Sequence, residues 1–312
     1  MFRRLCFSII YILIWLVPSY ASVIISTDTF PDEVFRACVS SEFDINHDGI
    51  LSGDELAGVT SMDNSIFASY DIIQDLKGIE YFTELTLFQC NGKLSVDILD
   101  FRSNDKLISI DCKYNSIAYL NVNGLNSLRY INCGYNNMIS LDVRNCTTLN
   151  ELYCWDNQLT ALDISKNTAL KHLYCYSNQL TALDVSKHTA LTWLDCSSNQ
   201  LTTLDISKHT ALTGLYCFNN QLGYIDLSSN TNLQSPYVLI SNQNVSGIKA
   251  IESTNSDYPY LVELTDVIPS SKLNGILKDT IKVYNSSSSV KYTYDGNGII
   301  YSAVKPSKIT IL

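Results

Sequence analysis

The sequence predicts an α/β solenoid built from 21-residue units, with a small helical cap before it and a small β unit after it. Three observations point there. Cys112, Cys133, Cys154, Cys175, Cys196 and Cys217 recur every 21 residues, with Cys90 one step of 22 upstream. An Asn follows each of the six three positions later: Asn115, Asn136, Asn157, Asn178, Asn199 and Asn220. An apolar residue stands two places before each Cys, as in Leu152-Tyr153-Cys154 and Leu194-Asp195-Cys196, so strand alternation turns both toward one face. The chain divides into a leader at 1–21, a cap at 22–60, the solenoid at 61–233 and a β-rich cap or module at 234–312.

The leader comes first. Arg3 and Arg4 precede an apolar run from Leu5 to Val17, then Pro18 and the small residues Ser19 and Ala21. This is the order of a secretory signal cut after Ala21. Those 13 residues fall short of a bilayer core about 30 Å thick, which disfavours an anchor. No later stretch is long and apolar enough to span a membrane, so the mature chain is expected to be secreted or held at the extracellular surface without inserting.

Residues 44–55 read D-I-N-H-D-G-I-L-S-G-D-E and match an EF-hand loop place by place. Asp44, Asn46 and Asp48 would offer side-chain oxygens, Ile50 its carbonyl, Ser52 a direct or water-mediated oxygen and Glu55 a bidentate carboxylate, with Gly49 at the sharp turn. Calcium is therefore the expected cofactor. Pro31 opens an expected helix with Val34, Phe35, Cys38 and Val39 on one face, and Leu56 and Val59 follow the loop. A single loop disfavours a paired calcium sensor and the duplicated-loop dockerin module. It suits a structural site that stiffens the cap.

Within the solenoid, Leu149 to Ala169, Leu170 to Ala190 and Leu191 to Ala211 share L-x-x-L-x-C-x-x-N-Q-L-T-x-L-D-[VI]-S-K-x-T-A. Each unit offers too few apolar residues to bury alone, for example Leu149, Leu152, Cys154, Leu159, Leu162, Ile164 and Ala169, so neighbours must stack. Cysteines stacked about 4.8 Å apart sit farther than the roughly 3.8 Å of a relaxed disulfide, which predicts buried free thiols. An Asn amide both donates and accepts, so the Asn ladder is expected to bond the turns together. Asp142, Asp163, Asp184, Asp205 and Asp226 form an outward ladder, expected to accept from the turns that follow; cation binding is the other option. His188 and His209 repeat the place of Asn167 and are expected on outer loops.

These motifs resemble those of bacterial leucine-rich repeat proteins, over about residues 85 to 233. The resemblance implies a right-handed solenoid, and Val59 to Leu85 resembles the entry turn of its secreted members, in which a calcium-loop region such as 44–55 precedes the array. The unit after Cys90 departs from the pattern, with Lys93 in place of Asn. After Leu233 the period stops, and alternating runs such as Ile281 to Tyr284 and Val290 to Tyr294 predict a small antiparallel unit.

Composition narrows the function. The 312 residues are 46% hydrophobic and 17% charged, which excludes a disordered tail, a collagen and a multi-pass membrane protein. With 31 Asp and Glu against 21 Lys and Arg, the chain would repel nucleic acid. No Ser-His-Asp spacing, phosphate loop or zinc motif marks an enzyme, and Glu151 with Asp156 is the sole carboxylate pair to suggest one. The outward strand positions hold Tyr130, Tyr153, Trp155, Tyr174, Tyr176, Trp193, Tyr216 and Phe218, flanked by Tyr114 and Tyr135. Strand propensity favours aromatics anyway, but so many rings on one concave face mark a recognition surface. The expected role is adhesin-like binding of an extracellular protein. A glycan is the alternative ligand, because flat rings stack on sugar faces.

Overall fold

The computed structural model describes residues 21–222, 224–227, 229–233 and 237–239, plus short strands at Ala250–Ile251, Leu261–Glu263, Ile281–Tyr284, Ser289–Tyr294 and Ile299–Ile300. Residues 1–20 of the expected leader and most of the C-terminal unit lie outside the described residues. Ile281–Tyr284 pairs antiparallel with Ser289–Tyr294, which pairs antiparallel with Ile299–Ile300.

The first strand, β1 (Val23–Ile24), runs antiparallel to β2 (Ile50–Leu51). Between them lies α1 (Glu33–Glu42), whose cap is Asp32: its Oδ1 accepts from the Phe35 amide at 2.7 Å. Pro31 therefore precedes the cap and is not in the first turn, because Asp32 is the better acceptor for the free amides. Phe35, Cys38 and Val39 are buried and Val34 packs against the core from the side. A second helix, α2 (Gly53–Gly58), starts in a capping box between Ser52 and Glu55.

The solenoid begins at β3 (Ser61–Met62), which pairs in parallel with β4 (Leu87–Gln89). From there a single parallel sheet adds β6 (Ser109–Asp111), β8 (Tyr130–Asn132), β9 (Glu151–Tyr153), β10 (His172–Tyr174), β11 (Trp193–Asp195), β12 (Gly214–Tyr216) and β14 (Val238–Leu239). Outside this sheet, β5 (Ile98–Asp100) pairs in parallel with β7 (Tyr119–Asn121), and β13 (Tyr224–Asp226) pairs antiparallel with Leu261–Glu263. Register is constant: Leu152, Leu173, Leu194 and Leu215 lie side by side. Equal repeat length makes this necessary, since a one-residue slip would turn each Leu outward.

Inside, the Cys and Leu columns are fully buried from Cys90 to Cys217, and the nine described cysteines form no disulfides. Burial pushes the thiols up, Cys154 to about 12, so they stay protonated. The Asn ladder ties each turn to the one before it. Asn178 Nδ2 donates to the Cys154 and Cys175 carbonyls at 3.0 and 3.1 Å, and its Oδ1 accepts from the Leu159 amide at 2.9 Å. At the irregular first unit Lys93 assumes the donor role: its Nζ donates to the carbonyls of Tyr70 at 2.6 Å and Ala68 at 3.3 Å.

Two expectations fail on the opposite side. His188 and His209 are not on outer loops; both are fully buried, as is Asn167. His188 Nε2 lies 3.0 Å from the Ile164 carbonyl and His209 Nε2 lies 2.9 Å from that of Val185. Asn167 Nδ2 likewise donates to the Val143 and Cys146 carbonyls at 2.8 Å. Tight turns leave these carbonyls facing the interior, and an inward polar side chain satisfies them. Ala169 is only half-buried, and Asn167 points inward in that loop instead. The Asp ladder behaves as the simpler reading expects: Asp163, Asp184 and Asp205 accept from the amides of Ser165, Ser186 and Ser207 at 2.9 to 3.0 Å. Among the described residues no helix is long and apolar enough to cross a membrane.

Candidate functional site

Strand alternation places two outward columns on the sheet. One runs Ser109, Tyr130, Glu151, His172, Trp193 and Gly214; the other runs Asp111, Asn132, Tyr153, Tyr174, Asp195 and Tyr216. A third column follows the cysteines, with Gly134, Trp155, Tyr176, Ser197 and Phe218.

The rings meet in two rows. In the first, centroid separations are 5.5 Å for Tyr130 and Tyr153, 4.7 Å for Tyr153 and Tyr174, 6.2 Å for Tyr174 and Trp193, and 5.5 Å for Trp193 and Tyr216. In the second, Trp155 stacks on Tyr176 at 5.5 Å with the planes 6° apart, and Tyr114 meets both Tyr135 and Trp155 at 5.5 Å. Phe218 makes no ring contact among the described residues. The eight candidate side chains are half-buried, and in all but Phe218 the rings cover one another. Tyr114 and Tyr135 are more open, at 51% and 58% exposure, and both hold positive φ, of 60° and 56°. Asp156, Ser177, Ser198 and Asn219 hold positive φ at the same place, so this is the backbone of the repeat turn, which places the two Tyr rings at the edge of the sheet.

Two glycines make room for the tryptophans. A Cβ on Gly134 would lie 2.2 Å from Cε2 of Trp155, and one on Gly214 2.5 Å from Cε3 of Trp193. Trp155 thereby reaches Tyr114 across one turn, and Trp193 reaches Tyr237 at 5.3 Å across one turn in the opposite direction. Tyr237 escaped sequence reasoning because it stands beyond the last regular repeat.

Polar groups interrupt the rings. Glu151 accepts from the Tyr153 hydroxyl at 2.8 Å and stands 3.5 Å from His172 Nδ1, which engages half of the carboxylate pair that an enzyme would need. Burial raises Tyr174 and Tyr176 to about 12, so both hydroxyls remain donors. Asp111 and Asp195 are buried acids, 5% and 7% exposed. Lys113 Nζ pairs with Asp111 at 3.2 Å. Asp195 Oδ1 accepts from Ser197 N at 3.1 Å and Oγ at 2.6 Å, and burial raises its pKa to about 6.

The second candidate site is the 44–55 loop. Asp44 Oδ2 accepts from Gly49 N at 2.9 Å, Asn46 Oδ1 from Asp48 N at 3.0 Å and Asp48 Oδ1 from Ile50 N at 2.8 Å. Glu55 closes the loop: Oε1 accepts from Ile45 N at 2.9 Å and Oε2 from Ser52 N at 2.8 Å. Hydrogen bonds from Ser52, then those from Ile45 and Asn46, hold Glu55 below the usual carboxylate range. His47 and Gly49 have φ of 56° and 79°, which coils the loop around its acidic side chains. Among the described residues no three His, Cys, Asp or Glu side chains converge closely enough to hold a metal, since these carboxylates turn onto loop amides. The donor set nevertheless suits a hard cation. Each carboxylate oxygen of Asp44 and Asp48 accepts one hydrogen bond and keeps a second lone pair, and Asp44 is 1% exposed with no cation among its partners in the described residues.

Comparison with known proteins agrees with this architecture. Residues 147–188 match the family model for leucine-rich repeats in two copies. No curated protein matches the chain. Among solved structures, internalin C2 from Listeria monocytogenes is similar at 21% identity and a TM-score of 0.57, over 72% of this chain and 99% of that one. The functional domain of InlJ from the same organism, which includes a cysteine ladder, is 31% identical with a TM-score of 0.42, over 69% of this chain and 56% of that one. A leucine-rich repeat protein of Leptospira interrogans is 22% identical with a TM-score of 0.49, over 55% and 46%. The chain thus spans about half the length of the last two. It carries leucine-rich repeats and has the parallel-sheet solenoid fold of the internalins.

Proposed function

We propose that this chain is an exported bacterial scaffold that binds an extracellular partner protein through the aromatic strand face, in an adhesin-like or surface-interaction role. The observation that carries the reading is the unbroken run of ring contacts from Tyr130 through Tyr153, Tyr174 and Trp193 to Tyr237. Half-buried Tyr and Trp side chains give large contact area with little entropy left to lose, the property of residues that dominate interfaces. A glycan needs an open ring face, and Tyr153, Tyr174 and Trp193 lie face to face within 18° of parallel. This favours a protein over a sugar.

Export is supported by the leader sequence, and surface or secreted placement follows from it. In the same reading the 44–55 loop holds one calcium ion through Asp44, Asn46, Asp48, Ile50, Ser52 and Glu55. Its outer edge, which a second loop would cover in a paired arrangement, is covered by β1. Such a site would be structural, stiffening the cap that closes the solenoid.

The test is parallel screening of the calcium-loaded chain on an array of extracellular receptor domains and on a glycan array. Saturable receptor binding, weakened at least tenfold by Trp155→Ala or Trp193→Ala, is expected. Glycan binding that is lost in the same variants, with no receptor bound, would replace the protein partner with a sugar.

A further inference from the structure

We infer that the strand face receives one cationic side chain, a lysine or arginine of the partner protein, in a site with Asp195 at its floor and Tyr174, Trp193 and Tyr216 around it. The inference rests on the reading of this face as a protein-binding surface and names the chemistry of what binds.

Register builds the site. Tyr174, Asp195 and Tyr216 are direct neighbours on β10, β11 and β12, and Trp193 precedes Asp195 by two residues on the same face. Three rings therefore surround a carboxylate about 4.8 Å from each flanking strand. Aromatic faces attract cations, more strongly where water is excluded.

The carboxylate lacks a counter-charge of its own. In the same column Asp111 is equally buried, and Lys113, two residues on, supplies its cation at 3.2 Å. At Asp195 the corresponding place holds Ser197, which satisfies Oδ1 alone. Oδ2 accepts no hydrogen bond from the described residues. It is also not sealed: the fully enclosed unpartnered polar atoms of the described residues belong to Asn104, Asn167, Trp193, His209 and Asn230. Leu194 and Cys196 fill the inner side of this strand, so Oδ2 is reachable only from the ligand face. A buried anion without a partner is costly, and a cation brought by a ligand removes that cost. The net charge of -10 adds long-range attraction for a basic surface.

The test pans a display library of random dodecapeptides on the full chain and measures the selected peptides by fluorescence anisotropy. Asp195→Asn removes the charge with the fold kept, because Asn132 occupies the same column and accepts from Gly134 N at 3.2 Å in the same way. Expected are peptides enriched in Lys or Arg, bound at least tenfold more weakly by Asp195→Asn. Replacing that peptide Lys by norleucine should give the same loss, and no further loss on top of Asp195→Asn. Peptides that depend on Trp155 but show no basic enrichment, or ignore Asp195→Asn, would overturn the cation site and leave the strand-face reading standing. Absence of any binding sensitive to Trp155→Ala or Trp193→Ala would overturn both.

Discussion

The indole of Trp193 occupies the space in which a Cβ on Gly214 would lie, 2.5 Å from Cε3, and so bridges two turns to meet Tyr237. Gly214 is thus the floor of an aromatic platform. Gly214→Ala should lift the indole off the sheet at a cost of about 1–2 kcal/mol, because the ring can swing outward. Trp193 fluorescence and near-ultraviolet dichroism would shift in that variant; an unchanged spectrum would contradict the packing.

The Asn ladder predicts a loss of its own. Asn178→Ala would leave the buried Leu159 amide without a partner and take one of two donors from the Cys154 and Cys175 carbonyls, which Asn157 and Asn199 also reach. One unsatisfied buried group costs about 1–3 kcal/mol before relaxation. Urea unfolding should show a loss in that range.

His188 offers a contrasting substitution. Asn167 and Asn230 stand at the same repeat position and also donate to carbonyls one turn back. His188→Asn should therefore change stability by less than about 1 kcal/mol, whereas His188→Ala should cost about 1–3 kcal/mol. Equal melting temperatures for the two variants would refute a bonding role for the ring.

Asp195 predicts a pH dependence with a definite sign. Its carboxyl is raised from 3.8 to about 6 by burial, so the folded chain holds this proton more tightly than the unfolded chain does. The associated stability is full below pH about 4 and is lost as pH rises through about 6. Asp195→Asn should accordingly gain about 1–3 kcal/mol on the parent at pH 7 relative to pH 4. Chemical denaturation at the two pH values measures it, and a pH-independent difference would exclude the shift.

Calcium should raise the melting temperature. A ligand at 100 times its dissociation constant contributes about 2.7 kcal/mol. Asp44→Ala or Glu55→Ala is expected to abolish the rise, and a parent chain indifferent to calcium and chelator would eliminate the site.

The solenoid was legible because its information is local and periodic. A Cys every 21 residues, an apolar residue two before it and an Asn three after it set the strand, its inward face and its hydrogen-bonded exit without reference to distant residues. The aromatic columns follow from the same alternation. The 44–55 motif can be read as a calcium-loop candidate for a related reason, since its oxygen-bearing residues are contiguous.

Tertiary structure alone decided matters that depend on residues one or two turns apart. Polar His188, His209 and Asn167 look like loop surface, yet stacking leaves carbonyls of the preceding turn facing inward, and these side chains are drawn into the core to meet them. Whether Trp155 and Trp193 stand out or lie down depends on glycines 21 residues away in opposite directions. Asp111 and Asp195 share a column, but the spatial reach of Lys113 and the enclosure of Asp195 by neighbouring rings separate a paired acid from an unpaired one. Sequence by itself determined which strand residues face outward, because strand periodicity is a property of the backbone. Which outward residues cover one another, and which charge lacks a partner, was settled only by the lateral packing of successive turns.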